Sequence, residues 1–333
     1  MQTYSKITGW GKYVPEKVLT NADLERMVDT SDEWIVQRTG IRERRIAADN
    51  ETTATMSVAA ARRALDVAGL TPQDVDLIIA STSSPDYFVP AAANVIQAML
   101  EADCPAFTVA TGCTGFVYGL VTAHQYVAGG AFKNVLVIGA ELISRFVDWQ
   151  DRNTCVLFGD GAGAVIVNPT TEPGGLLGFD LGSDGAKGMY LAMEGGGSAH
   201  PMSHQVIDEG KNYLRMNGRE VFKFATRILT KSTTAALENS GLSLNDIDLL
   251  IPHQANQRII ETAVKFLNIA PEKVFVNLHK YGNTSAASIP LALVEALEEG
   301  RIQAGDKLVL VSFGSGLTWA SAVVQWGNGT TAG

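Results

Sequence analysis

Cys113, His253 and Asn283 are the residues of this chain whose types and surroundings could do chemistry together. Cys113 follows the β-type run AFTVAT and Gly112. It precedes a helix-like run, FVYGLVTAHQYVA, that is apolar on nearly every face and stops at Gly129-Gly130. An almost all-apolar helix is a buried one. A cysteine at its N-terminus faces unpaired N–H groups and the positive end of the helix dipole, which favour a thiolate and lower the thiol pKa. Gly112 gives the turn room, as at other nucleophile elbows. The competing reading is a packing thiol, the usual fate of buried cysteine. Cys104, before Pro105, and Cys155, in the apolar run CVLF, read that way.

His253 ends the apolar strand DIDLLIPH and introduces the helix NQRIIETAVKFL. The other histidines have blander settings: His124 inside the apolar helix, His200 and His204 in the polar stretch GGGSAHPMSH, and His279 in the turn LHKYGN. Asn283, in VNLHKYGNTSAASIPLAL, follows a glycine as turn formers and helix caps do. Its amide also donates hydrogen bonds and stays neutral at any relevant pH, which suits stabilising an enolate. Two glycine clusters complete the set. Phe158-Gly159-Asp160-Gly161-Ala162-Gly163 is followed by the strand AVIVNP rather than a helix, so it reads as a hairpin turn and not a dinucleotide loop. Phe313-Gly314-Ser315-Gly316-Leu317 ends an apolar strand, and its backbone could supply an oxyanion donor or be a plain tight turn.

An internal repeat must position these residues. AGLTPQDVDLIIASTSS lies beside NSGLSLNDIDLLIPHQAN, with Asp74 on Asp246; Gly112-Cys113-Thr114 falls on Gly282-Asn283-Thr284; VLVIGAE falls on LVLVSFG. Each half predicts an apolar strand (LIIAST or LLIPH), an amphipathic helix (AANVIQAML or RIIETAVKFL), a second strand (PAFTVA or KVFVNL), a Gly turn with a buried helix, and a last strand (NVLVIGA or KLVLVSF). Alternation of strand and helix predicts parallel pairing in an α/β fold. Two copies predict a pseudo-twofold axis between halves 1–172 and 173–333, with Cys113 and Asn283 on matched turns. Strand ends are where α/β proteins place their sites.

The bulk properties fit a packed globule: 333 residues, 46% hydrophobic and 18% charged. The net charge of −9 argues against general nucleic-acid binding, so an anionic partner needs a local basic patch. Arg219, Lys223, Arg227 and Lys231 recur every fourth residue and would form one stripe on a helix, or simply a solvated face. Three cysteines argue against a disulfide framework and fit a reducing cytosol. The chain shows no secretion pattern and no apolar run near the ~20 residues of a membrane span, so it reads as cytoplasmic. No spaced Cys/His ligand set is visible, and no metal or cofactor is expected.

Taken in order, TSDEWIVQRTGIRERRIA, the Gly-Cys-Thr-Gly turn, DRNTCVLFGDGAGAVIV, HQANQRII, YGNTSAASIP and SFGSGLTW resemble the signature segments of the β-ketoacyl-acyl-carrier-protein synthase III family. The resemblance implies a five-layered thiolase-like fold, a homodimer, and a decarboxylative condensation of an acyl-CoA with malonyl-acyl-carrier-protein. It implies an acyl group on Cys113, with His253 and Asn283 binding the malonyl thioester carbonyl and the backbone N–H groups of Cys113 and Ser315 forming the oxyanion hole. It also implies CoA contacts at Trp34, Arg38, Thr39, Arg152 and Asn256, carrier-protein contacts at Lys223, Arg258 and Lys265, and an acyl pocket at Val89 and Phe158. Ser315 and Ala320 stand where relatives have glycine, and Val89 stands where many have Phe, which leaves the starter length open. Other Cys-His-Asn condensing enzymes, of the polyketide or hydroxymethylglutaryl-CoA synthase type, are the nearest rivals. A papain-type hydrolase would want its cysteine in a CGSCW-like setting near the N-terminus, and a non-catalytic partner subunit would not need all three polar residues.

Overall fold

The computed structural model describes residues 3–327. Two mixed sheets carry the fold. The first joins β1 (Tyr4–Tyr13), β2 (Leu77–Ser81), β3 (Ala106–Val109), β4 (Val135–Glu141) and β5 (Gly161–Thr170) in the order β1-β5-β4-β2-β3. The second joins β6 (Gly175–Gly188), β7 (Leu249–Pro252), β8 (Lys307–Gly314) and β9 (Gly316–Gln325) in the order β7-β8-β9-β6. The expected parallel pairing holds where a helix crosses over, for β2 with β3 and β4 and for β7 with β8. The other pairs are antiparallel, because β5 and β9 return beside their predecessors without a crossover helix.

α1 (Asp32–Thr39) carries Trp34, Arg38 and Thr39, and longer helices make the remaining three layers. α2 (Thr53–Ala68) and α3 (Ala92–Leu100) cover the outer face of the first sheet, and α5 (Gly218–Ser240) with α6 (Gln257–Leu267) covers that of the second. Between the sheets lie α4 (Gly115–Ala128) and α7 (Ser288–Glu298). Both read as apolar all round, and for that reason both are central: every residue from Ser288 to Leu297 is buried. Phe116, Val117 and Leu120 of α4 share one core with Ile289, Leu293 and strand residues of both sheets. This is the expected thiolase-like αβαβα stack.

The repeat extends to hydrogen bonds. Thr71 and Asp74 cap a 3-10 turn reciprocally, and Ser243 and Asp246 do the same. Asp76 Oδ2 accepts from Asn134 N–H at 2.9 Å, and Asp248 Oδ2 from Lys307 N–H at 2.8 Å. The helix-ending glycines Gly69 and Gly241 adopt φ of 67° and 71°.

Three expectations change. KVFVNL is not a strand: a 3-10 turn at Pro271–Lys273 leads into a single bridge between Leu250 and Val274. The GDGAG cluster does open a strand, but residues 142–160 before it form a long connection rather than a hairpin turn. Buried Asp160 pins that connection, accepting from Ala47 N–H, Ser144 N–H and Ser144 Oγ–H at 2.8, 2.9 and 2.6 Å. Third, the turn holding Cys113, a 3-10 segment at Gly112–Thr114 running into α4, corresponds to Ser285–Ala287 running into α7. Gly112 and Ser285 share the left-handed φ of this turn, 59° and 50°. The counterpart of Cys113 is therefore Ala286. Asn283 lies three residues earlier, and the shared Gly-X-Thr letters were a false register.

Glycines permit close contact between the halves. A Cβ on Gly139 of β4 would stand 2.3 Å from the Ala286 carbonyl oxygen. Overpacking of this kind costs about 1–3 kcal/mol. Gly139→Ala is expected to lower the melting temperature by several degrees and to reduce activity disproportionately, because it pushes on the turn beside Asn283. Calorimetry together with a turnover assay checks this; unchanged activity at lowered stability would separate the contact from the site.

Candidate active site

Cys113 opens the central layer. Its turn ends a 3-10 segment and starts α4, the helix N-terminus that the sequence anticipated. The turn rests against the β8–β9 hairpin. A Cβ on Gly314 would lie 2.7 Å from Cys113 N, and one on Gly112 would lie 3.0 Å from Ser315 N. Both glycines are thus required by proximity. The Thr318 hydroxyl sits between the carbonyls of Thr111 (3.0 Å) and Ser315 (2.9 Å), holding the two turns together.

The environment of the thiol differs from expectation. Burial pushes it up to about 12, and the nearby Glu141 carboxylate adds to the effect, while a hydrogen bond from Ser285 Oγ–H (3.3 Å) acts the other way. The helix end alone predicted a lowered pKa. Removal from water acts in the opposite sense, and Cys113 is only 8% exposed.

His253 follows β7, where its N–H donates to Val311 O of β8 at 2.7 Å. The ring is 1% exposed, and burial pushes its pKa down to about 3. It is a neutral imidazole. Its Nδ1 meets Ser288 Oγ at 2.6 Å, and that oxygen also receives Gln254 N–H at 3.4 Å. The Ser288 hydroxyl can donate to Nδ1, and in that tautomer the ring proton stands on Nε2 as a donor. Asn283 is held on both sides by backbone bonds, its N–H to Leu157 O (2.8 Å) and its C=O from Gly159 N–H (3.1 Å). Its Oδ1 accepts from Ser285 N–H at 2.9 Å, so the amide Nδ2 is free to donate.

These three side chains line one cavity of about 250 Å³. Trp34, Arg38, Thr39, Phe158, Asn256 and Arg258 line it too. The Trp34 ring lies between guanidiniums, with Arg152 Cζ 5.1 Å and Arg38 Cζ 5.6 Å from its centroid. The Thr39 hydroxyl donates to Ile35 O, and Asn256 Nδ2 donates to Arg38 O at 3.0 Å, so both polar ends are engaged within the wall. Lys223, Arg258 and Lys265 are exposed, and Arg258 lies over Phe222 at 5.7 Å. Arg219, Lys223, Arg227 and Lys231 do form an exposed stripe on α5. Val89 is not in this cavity; it is 87% exposed beside Phe88 (77%) and Tyr87 (60%) at a loop tip.

Sequence reasoning missed Ser285, Ser288 and Glu141. Ser288 partners the His253 ring at Nδ1. Ser285 touches both Cys113 and Asn283, and its hydroxyl lies 3.0 Å from Glu141 Oε1. The signal for Ser285 was present in the repeat, where the correct register sets it against Gly112.

Comparison with known proteins agrees with this geometry. Residues 107–185 match the family model for 3-oxoacyl-[acyl-carrier-protein] synthase III, and residues 237–326 match the model for its C-terminal part. The chain is 53% identical over 330 residues, covering 99% of itself and 100% of the relative, to the β-ketoacyl-[acyl-carrier-protein] synthase III of Roseiflexus castenholzii. It is 54% identical over 322 residues to that of Symbiobacterium thermophilum, covering 96% of itself and 98% of the relative. The crystal structure of the Thermus thermophilus protein superposes with a TM-score of 0.91 at 47% identity, over 97% of this chain and 99% of that one. With the cysteine turn, the neutral histidine and the asparagine meeting in one cavity of a thiolase fold, the chain belongs to the β-ketoacyl-[acyl-carrier-protein] synthase III family, the condensing acyltransferases that initiate fatty-acid synthesis.

Proposed function

We propose that Cys113 carries the acyl starter from an acyl-CoA, and that His253 and Asn283 then activate malonyl-acyl-carrier-protein for condensation. The observation that carries this reading is a neutral imidazole, His253, and a neutral amide, Asn283, lining the same cavity as a thiol at a helix end. The Cys113 sulfur attacks the thioester carbonyl, whose oxygen becomes negative. The backbone N–H groups of Cys113 and Ser315, on turns that touch, would receive it. CoA leaves, and the acyl group stays on sulfur, which makes the kinetics ping-pong. Loss of carbon dioxide from the malonyl group then yields an enolate. Two neutral donors stabilise its oxygen without a proton acidic enough to quench the carbanion, which attacks the acyl-Cys113 carbonyl and gives the 3-oxoacyl product.

The remaining assignments follow the same logic. Trp34 with Arg152 offers a stacking slot for the CoA adenine, and Arg38, Thr39 and Asn256 border the path from it to Cys113. Lys223, Arg258 and Lys265 would meet the carrier protein. The apolar tip Tyr87-Phe88-Val89 fits a homodimer in which Val89 reaches the partner's acyl pocket, next to Phe158. Every strand of one sheet comes from residues 4–170 and every strand of the other from 175–325, in support of halves at 1–172 and 173–333. Three free cysteines fit a reducing cytoplasm.

Three experiments test these roles. Cys113→Ala is expected to abolish acylation by acyl-CoA yet still decarboxylate malonyl thioester, whereas His253→Ala and Asn283→Ala acylate but do not condense. Intact-protein mass spectrometry and carbon dioxide release separate the two; an adduct of unchanged size on Cys113→Ala would remove Cys113 from the mechanism. Reversing Lys223 and Arg258 to Glu should raise KM for malonyl-carrier-protein and leave CoA-thioester exchange intact. That rise should shrink toward ~0.5 M salt, where exposed charges are screened over only a few ångströms. Equal damage to both half-reactions would refute a carrier-specific role. Val89→Phe should depress kcat/KM for octanoyl-CoA more than for acetyl-CoA, since each buried methylene is worth about 0.8 kcal/mol. A uniform response would mean that Val89 does not set chain length.

A further inference from the structure

We propose that Ser285 and Glu141 form a proton relay that takes the Cys113 proton during acylation and returns it when condensation expels the thiolate. The proposal rests on Cys113 as nucleophile and adds two residues to its chemistry. Ser285 Oγ lies 3.3 Å from Cys113 Sγ and 3.0 Å from Glu141 Oε1. A hydroxyl has one hydrogen to give. When Glu141 is ionised, that hydrogen points to the carboxylate, and the thiol hydrogen points to the serine oxygen. When Glu141 holds the proton, the serine hydrogen turns to a thiolate. The three groups thus share one mobile proton along a continuous line.

The surroundings of Glu141 suit a group that changes charge. It ends β4, is 0% exposed, and forms no ion pair among the described residues. Its oxygens meet only neutral partners: Ser83 N–H (3.1 Å), Ser84 Oγ (2.6 Å), Thr82 Oγ1 (3.3 Å) and Ser285 Oγ. Three of those four are hydroxyls, which can donate to a carboxylate or accept from a carboxylic acid. Burial raises the Glu141 pKa, which favours the form that holds a proton. A purely structural carboxylate would gain nothing from a serine held at φ 50°, a conformation that L-residues other than Gly, Asn and Asp rarely adopt. At that position the first half of the repeat uses Gly112.

The step balances. The Cys113 S–H bond breaks as the sulfur pair forms the C–S bond to the thioester carbonyl carbon. The proton passes to Ser285 Oγ, and the serine proton passes to Glu141. Collapse of the tetrahedral adduct breaks the bond to CoA, whose sulfur leaves with its electron pair and takes a proton from solvent. Glu141 stays protonated while the acyl group sits on sulfur, so no buried anion opposes the malonyl enolate. When the enolate carbon displaces Cys113, the sulfur leaves as a thiolate and recovers the stored proton through Ser285.

Glu141→Gln, Glu141→Asp and Ser285→Gly test the relay; the last removes the hydroxyl while relieving the backbone. The readouts are the rate of Cys113 acylation by acetyl-CoA, by mass spectrometry across pH, and the acetyl-CoA concentration that half-saturates it in a single turnover. General-base assistance is worth about 10²–10⁴-fold, and Glu141→Gln and Ser285→Gly are expected to slow acylation near neutral pH by at least about 10²-fold. The acetyl-CoA concentration that half-saturates single-turnover acylation should stay unchanged, the deficit should shrink as hydroxide replaces the base at high pH, and Glu141→Asp should restore part of the rate. A carboxylate that merely repels the thiolate predicts the opposite sign: Glu141→Gln would then acylate faster. Undiminished acylation in Glu141→Gln or in folded Ser285→Gly overturns the relay alone, whereas wild-type acylation at a residue other than Cys113 overturns the nucleophile assignment with it.

Discussion

The contact between two turns, one from each half, is the constraint on which the rest of the structure depends. Gly112 and Gly314 bring the Cys113 turn and the β8–β9 hairpin to within a distance that no side chain could occupy. Gly139 allows the same on the opposite side, against Ala286. Once these approaches are made, α4 and α7 have no surface left to expose, and their all-round apolar sequences become a requirement. The outer helices need one apolar face each, and α5 can therefore carry charge on the other.

This compression also sets the electrostatics. In the pocket, burial disfavours charge on every ionisable group near the sulfur: it raises Cys113 and Glu141 and lowers His253. The cavity floor thus works with neutral donors, oriented by hydrogen bonds from Ser285 and Ser288. Fixed charge is kept to the rim, at Arg38, Arg152 and Arg258, where an anionic substrate would enter. The separation of charged rim and neutral floor matches a reaction in which the anion has to be created at the bottom of the pocket and not outcompeted there.

Much of this was legible in the chain. The strand-turn-helix setting of Cys113, the strand end at His253 and the apolar character of both central helices are periodicity signals, and they survive folding because burial is what they encode. The segments that failed did so for local reasons. KVFVNL has strand composition, but Pro271 and a 3-10 turn leave it room for one bridge only. The burial that pushes the thiol pKa up was not legible, because a helix terminus is visible in sequence and desolvation is not. Ser285 and Glu141 were invisible as partners: they lie 144 positions apart, and neither is chemically unusual where it stands. The false match of Cys113 to Asn283 hid the fact that Ser285 occupies a glycine's conformation.

The floor beneath Cys113 is backbone: the amide groups of Gly112, Cys113, Gly314 and Ser315, on turns too tight to admit larger residues. A point mutation replaces side chains and leaves amides where they are. An inhibitor anchored on those N–H groups would face a binding surface with few escape routes, because enlarging Gly112 or Gly314 to evict it would also dislodge Cys113. Compounds that lean on rim side chains such as Trp34 would meet groups that a single substitution removes, and resistance would be expected to arise there first.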